Sequence, residues 1–195
     1  MRKTITILGS IVLTFALHSC TTNPVLTARG TTAFLSEGNK YSGADLQFGA
    51  PLPMENSKGH IDMLLSVGYG NSELINTTES REEAVNRKGV TFGVGANYFF
   101  NKGRLQPFIG AEMFYLSSTK EKTSENEKKE NIPYLILTPN AGLRFYFSNR
   151  FALTGSVGYS YHMTQMLSSK VNTDNIKFNT GGIAPSVGLT YVLTK

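Results

Sequence analysis

Apolar and polar residues alternate with period two over unusually long stretches of this 195-residue chain. Between Gly89 and Asn101, the residues Val90, Phe92, Val94, Ala96, Tyr98 and Phe100 fall on one face. Thr91, Gly93, Gly95 and Asn97 fall on the other, with Phe99. From Pro133 to Phe147 the apolar face is Leu135, Leu137, Pro139, Ala141, Leu143, Phe145 and Phe147. Its opposite carries Tyr134, Thr138, Asn140, Gly142, Arg144 and Tyr146, with Ile136 as the exception. Arg150 to Met163 repeats the pattern. A period of two places alternate side chains on opposite faces of an extended strand, and a helix cannot satisfy it.

Segment length narrows the fold further. An ordinary strand has about 5–6 residues, whereas a tilted membrane-spanning strand needs about 9–11. The alternating segments exceed the first value and fit the second. Eight strands are expected, over 29–37, 42–51, 58–70, 89–101, 104–118, 133–147, 150–163 and 180–193. Asn101-Lys102-Gly103 and Ser148-Asn149 read as tight turns, and 51–57 is moderately short. Residues 71–88, 119–132 and 164–179 are long and polar, so short and long connections fall at opposite ends, as in membrane barrels. Aromatics band in the same way. Outward Tyr98, Phe100, Phe145, Phe147, Phe151 and Tyr191 are expected at the short-turn end, and Tyr69, Tyr115, Tyr159 and Tyr161 near the other. The fold class is therefore all-β, an eight-stranded antiparallel up-and-down transmembrane barrel.

The N-terminal segment reads differently. Met1-Arg2-Lys3 is a basic start, Thr4 to Leu17 an apolar run, and His18-Ser19-Cys20 a small-residue exit. This is the charge and length pattern of a secretory signal, too short for a comfortable span of about 20 residues. The expected organisation is a signal peptide over 1–19, a linker over 20–28 and a barrel over 29–195. Loss of residues 1–19 removes Arg2 and Lys3 and lowers the formal charge from +5 to +3. Leu17, Ser19 and Cys20 resemble a bacterial lipobox, which implies lipidation at Cys20; His18 departs from that pattern.

Composition excludes other classes. One Cys allows neither an internal disulfide nor a Cys-based zinc site. Charged residues are only 17%, and the weak positive charge is spread along the chain, which argues against nucleic acid. No phosphate-binding glycine loop stands in strand–turn–helix context.

With these segments in place, the chain resembles the small eight-stranded outer-membrane barrels, the OmpA-like and OmpX-like families. The last strand, Ser186-Val187-Gly188-Leu189-Thr190-Tyr191-Val192-Leu193, resembles their C-terminal insertion signal, with Ser186, Gly188, Tyr191 and Leu193 in the pattern. The chain ends Leu193-Thr194-Lys195 rather than on an aromatic. The resemblance implies residence in a Gram-negative outer membrane, contact with its lipid, and recognition by the barrel-assembly machinery.

A barrel of eight strands has an interior that side chains can fill. Parity sends Asp45, Gln47, His60, Asp62, Asn97, Arg104, Glu112, Asn140, Arg144 and Arg150 into it. The expected luminal network is Asp45, Asp62 and Glu112 against Arg104, Arg144 and Arg150, since charges away from water need partners. Its arginines lie toward the short-turn end. The outer loops carry most of the charge, with four Lys and four Glu over 120–130; the plain reading is a solvated barrel top, and the sharper one a surface for lipopolysaccharide, host molecules or a partner protein.

The functional expectation is a structural, envelope or surface-interaction protein, not an enzyme, without cofactor or metal. The alternatives are a narrow porin-like channel for ions or very small solutes, a lipid A-modifying enzyme, and a soluble periplasmic lipocalin-like lipoprotein. For lipid A deacylation, which needs His and Ser on one strand with an acid, the nearest candidate is His162-Met163-Thr164. His60 and His162 lie near opposite ends, so they cannot share a metal.

Overall fold

The computed structural model of the chain describes residues 23–54, 58–78, 81–120, 131–163 and 179–193. The signal peptide and Cys20 lie outside the described residues. Eight strands are present: β1 Val25–Leu35, β2 Lys40–Pro53, β3 His60–Thr78, β4 Arg81–Phe99, β5 Leu105–Lys120, β6 Asn131–Tyr146, β7 Phe151–Met163 and β8 Asn179–Val192. Each pairs antiparallel with its sequence neighbours, and β1 closes on β8 with Val25 opposite Val192. Closure leaves no sheet edge around the wall, and the ladders skip steps only where prolines stand, at Pro185 of β8 opposite β1 and at Pro139 of β6 opposite β7.

The side-chain pattern dictates this wall. Along β7 the buried or half-buried Ala152, Thr154, Ser156, Gly158, Ser160 and His162 alternate with Phe151, Leu153, Val157, Tyr159 and Tyr161, all exposed. The outward face is apolar around the whole circumference. Ile183, Val187 and Val157 are each 58% exposed, and Phe92, Ile109, Leu143, Phe145 and Leu153 each about half. Such a continuous exposed apolar surface is far larger than water-soluble proteins carry. It does not suit the soluble lipocalin-like alternative. Outward aromatics sit where the alternation predicts: Phe151 packs on Tyr191 at 5.0 Å near the chain ends, and Tyr159 on Tyr161 at 4.7 Å near the other end.

Three boundaries differ from the sequence reading by about four residues or more, the others by at most two. β1 starts at Val25 rather than 29, because the Leu26, Ala28, Gly30, Thr32 and Phe34 face is weakly apolar and the opposite face is rich in Thr. β3 and β4 continue to Thr78 and Arg81, so most of 71–88, expected as loop, is paired strand. Polar side chains hid that extension, since strands in water need no apolar face. β2 stops pairing with β3 at Glu73, and β5 stops pairing with β4 at Arg87, so the β3–β4 ribbon stands beyond its neighbours. Of 119–132, residues 121–130 lie outside the described residues, as do 164–178.

β1 and β2 are joined at the long-loop end by the 3-10 turn Ser36–Gly38. Gly38 takes φ 75°, a conformation that side chains with a Cβ resist. Inside the wall, missing Cβ atoms make room for rings: one added at Gly93 would stand 2.5 Å from Phe114.

Candidate functional site: a charged layer across the lumen

Side chains fill the lumen in three layers. Nearest the short turns, Arg144 Nη1 donates to Asp62 Oδ2 at 2.8 Å, and His60 Nε2 lies 3.3 Å from Asp62 Oδ1. Phe99 is the platform of this layer: His60 stacks on it at 4.8 Å, and the Arg144 guanidinium carbon lies 4.3 Å from its centroid. Phe99, Arg144 and Asp62 are fully buried. An arginine held by both a carboxylate and a ring face keeps its charge compensated away from water.

The middle layer is the most connected. Arg29, on β1, reaches across the lumen to Glu112 on β5, with Nη1 to Oε1 and Nη2 to Oε2 both at 2.7 Å. This is the parallel, two-bond geometry that makes arginine–carboxylate pairs strong. The same guanidinium donates to Asp45 Oδ2 from Nη2 at 3.0 Å and from Nε at 3.3 Å. Gln47 Nε2 donates to Glu112 Oε2 at 2.8 Å, and Asn140 Nδ2 to Glu112 Oε1 at 3.2 Å. Residues of β1, β2, β5 and β6 therefore meet at one level, and both oxygens of Glu112 are satisfied twice.

The third layer, toward the long connections, is apolar: Ala33, Leu35, Tyr41, Leu116, Ile136 and Ala184, with Phe114 against them. Ile136, the apparent break in the β6 pattern, is an inward residue of this layer. His162 also lies here, edge-on to Tyr41 at 5.4 Å.

The structure brings together Asp45 and Glu112 through Arg29, and separately Asp62 with Arg144. Arg104 and Arg150 correct the expected set. Both are exposed in turns, immediately before β5 and β7, where alternation no longer fixes a face. They contribute backbone only: Arg104 O accepts from Tyr146 N, and Arg150 O from Val192 N, each at 2.8 Å. Arg104→Ala and Arg150→Ala are accordingly expected to move unfolding stability by less than about 0.5 kcal/mol, measured by urea titration of the folded barrel. A loss of several kcal/mol for either would restore it to the luminal network. Arg29 is the residue the sequence reading missed. Its signal was the outward series Leu26, Ala28 and Phe34, which turns position 29 inward once the strand is extended back.

Of the insertion-signal residues, Ser186 and Gly188 face inward, Tyr191 outward against Phe151, and Leu193 follows β8 with its amide donating to Pro24 O at 2.8 Å. The enzyme alternative has a nearer pair than His162 and Thr164, which lies outside the described residues. Ser160 Oγ lies 3.3 Å from His162 Nε2, but it also shares a hydrogen with Thr138 Oγ1 at 3.0 Å. His162 Nδ1 has no hydrogen-bond partner among the described residues. Among the described residues no carboxylate orients the imidazole for nucleophile activation. Among the described residues no group of three or more His, Cys, Asp and Glu is arranged to hold a metal.

Comparison with known proteins agrees with this architecture. The family model described as outer membrane protein beta-barrel domain matches residues 49–195. Among solved structures, the fold is similar to the outer membrane enzyme PagL, with 14% identity over 87% of this chain and 99% of that one, and a TM-score of 0.54. Neisserial surface protein A gives 17% identity, 88% and 96% coverage, and a TM-score of 0.52. The N-terminal barrel domain of Pseudomonas aeruginosa OprF gives 16%, 88% and 98%, and 0.50. Identities this low establish the fold alone. One curated relative, the adhesion and penetration protein autotransporter of Haemophilus influenzae, is 29% identical over 117 residues, and the chain spans only 7% of its length.

Proposed function

Since the chain belongs to the outer membrane protein beta-barrel family and resides in the outer membrane, we propose that its barrel is a sealed, non-conducting platform that acts through its outer segments. The observation that carries this reading is the middle layer. Arg29, Asp45, Gln47, Glu112 and Asn140 tie four strands together across the lumen, with apolar side chains above and the Arg144–Asp62–Phe99 layer below. An ion passing through would have to displace the doubly hydrogen-bonded Arg29–Glu112 pair and then cross an apolar layer, each at a cost of several kcal/mol. The barrel then works as a rigid membrane anchor. Its contacts are the surrounding lipid, the assembly machinery that reads Ser186, Gly188, Tyr191 and Leu193, and, above the membrane, lipopolysaccharide or a surface partner. Its role is structural or interactive in the envelope rather than enzymatic.

Single-channel recording of the full chain in a planar bilayer tests the seal. No stepwise current is expected in molar KCl. Discrete, reproducible steps would instead support the narrow-channel reading.

A further inference from the structure

A cavity of about 30 Å³ lies beside the middle layer; the paired Arg29 and Glu112 form part of its lining, and Thr31, Asp45, Asn140 and the neighbouring hydroxyls the rest of its polar side. That is room for about one or two water-sized occupants. Three of the lining residues carry a buried oxygen without a hydrogen-bond partner among the described residues: Thr31 Oγ1, Asp45 Oδ1 and Asn140 Oδ1. The Asp45 side chain is only 9% exposed, so its free oxygen is deeply buried.

Charge points to the kind of occupant. One guanidinium, Arg29, faces two carboxylates, Asp45 and Glu112, which leaves one negative charge uncompensated in this layer. The hydrogen bonds locate it. Glu112 has both oxygens engaged, and Asp45 has Oδ2 engaged twice, so the excess falls on Asp45 Oδ1. The remaining lining is oxygen-rich: the hydroxyls of Ser156 and Ser186 share one hydrogen bond at 2.7 Å, and each oxygen keeps a lone pair. Oxygen ligands suit a hard cation, and one excess negative charge is balanced by one positive charge. Divalent calcium prefers 6–8 oxygen ligands, carboxylates among them, and only one carboxylate oxygen is free here.

We propose that this cavity is a binding site for a small monovalent cation of sodium type, with Asp45 Oδ1, Thr31 Oγ1 and Asn140 Oδ1 as its protein ligands. The ion neutralises the middle layer and stabilises the folded barrel by mass action, binding the native state and not the unfolded one. The site is independent of whether the lumen conducts.

The test is the thermal unfolding midpoint of the full chain, refolded in zwitterionic detergent, in NaCl and in choline chloride at equal ionic strength and fixed pH. The folded form is followed by its gel mobility. The midpoint is expected to be a few degrees higher in NaCl and to saturate with sodium concentration. Asp45→Asn should abolish the difference. If that variant does not fold, Thr31→Val, which removes one ligand oxygen and keeps the volume and the ion pairs, should reduce the difference by at least half. Equal midpoints in the two salts for the parent chain would overturn the site, because the excess charge would then be met by a proton. A sodium effect undiminished in the folded variants would overturn it too.

Discussion

Arg29→Met should lower the unfolding free energy of the barrel by about 3–5 kcal/mol, the cost typical of leaving buried charges without their partner. The side chain is isosteric enough to fill the lumen, so the loss is electrostatic. Asp45 and Glu112 would face each other at mid-lumen, with Gln47 and Asn140 still donating to Glu112. Equilibrium urea unfolding in lipid vesicles, followed by far-ultraviolet circular dichroism, measures the effect; the chain has no Trp to report by fluorescence. Combining Arg29→Met with Asp45→Asn and Glu112→Gln removes all three charges and is expected to recover most of the loss, since an uncharged set of similar volume carries no ionic penalty. A single Arg29→Met within about 1 kcal/mol of the parent would mean that the network contributes little to holding the barrel.

Val157→Arg is the complementary test, on the other side of the wall. Val157 is outward, 58% exposed, and lies between Phe151 at one aromatic band and Tyr159 and Tyr161 at the other. Its neighbours across the ladder are Ala141 and Pro185, which offer no counter-charge. A cation near the bilayer midplane costs a transmembrane barrel about 2–4 kcal/mol, falling toward zero at the interfaces. The same vesicle titration should show that loss for Val157→Arg and almost none for Asn149→Arg, in the exposed turn before β7. Equal, small effects at both positions would mean that residue 157 does not meet hydrocarbon.

The sequence made the wall legible and the lumen only partly so. Outward residues of β4, β6 and β7 obey a strict apolar rule because lipid accepts nothing else, and alternation alone places them. β1 obeys it loosely, with Ala28, Gly30 and Thr32 outward, and the cost of that weak signal was Arg29. Without Arg29, parity sets Arg104 and Arg150 beside Arg144 against the three acids and leaves the partners open. Periodicity fixes which face a side chain takes but not how far a strand runs, and both arginines lie just past the strand ends. Partner choice also depends on the shear of the barrel, which sets Arg29 level with Glu112, 83 positions away in the chain. No local pattern encodes that. The β3–β4 extension was missed for the opposite reason: beyond the lipid, a ribbon can be polar on both faces.

The seam between the first and last strands also orders events in time. Thr27 Oγ1 meets Thr190 Oγ1 at 2.9 Å, and Thr154 Oγ1 meets the same hydroxyl at 2.8 Å, so a run of hydroxyls joins β1, β8 and β7 across the closing line. The chain between Thr27 and Thr190 must be synthesised, threaded and paired before that line can form. Contacts of such sequence separation are the slow ones. Because Arg29 lies on the closing strand, opposite both Asp45 and Gly188, a seven-strand intermediate missing β1 holds two acids at mid-lumen and no guanidinium beside them. Completion of the wall and pairing of its interior acids with a guanidinium are therefore one step. An unfinished barrel is marked by its own charge until its first strand docks.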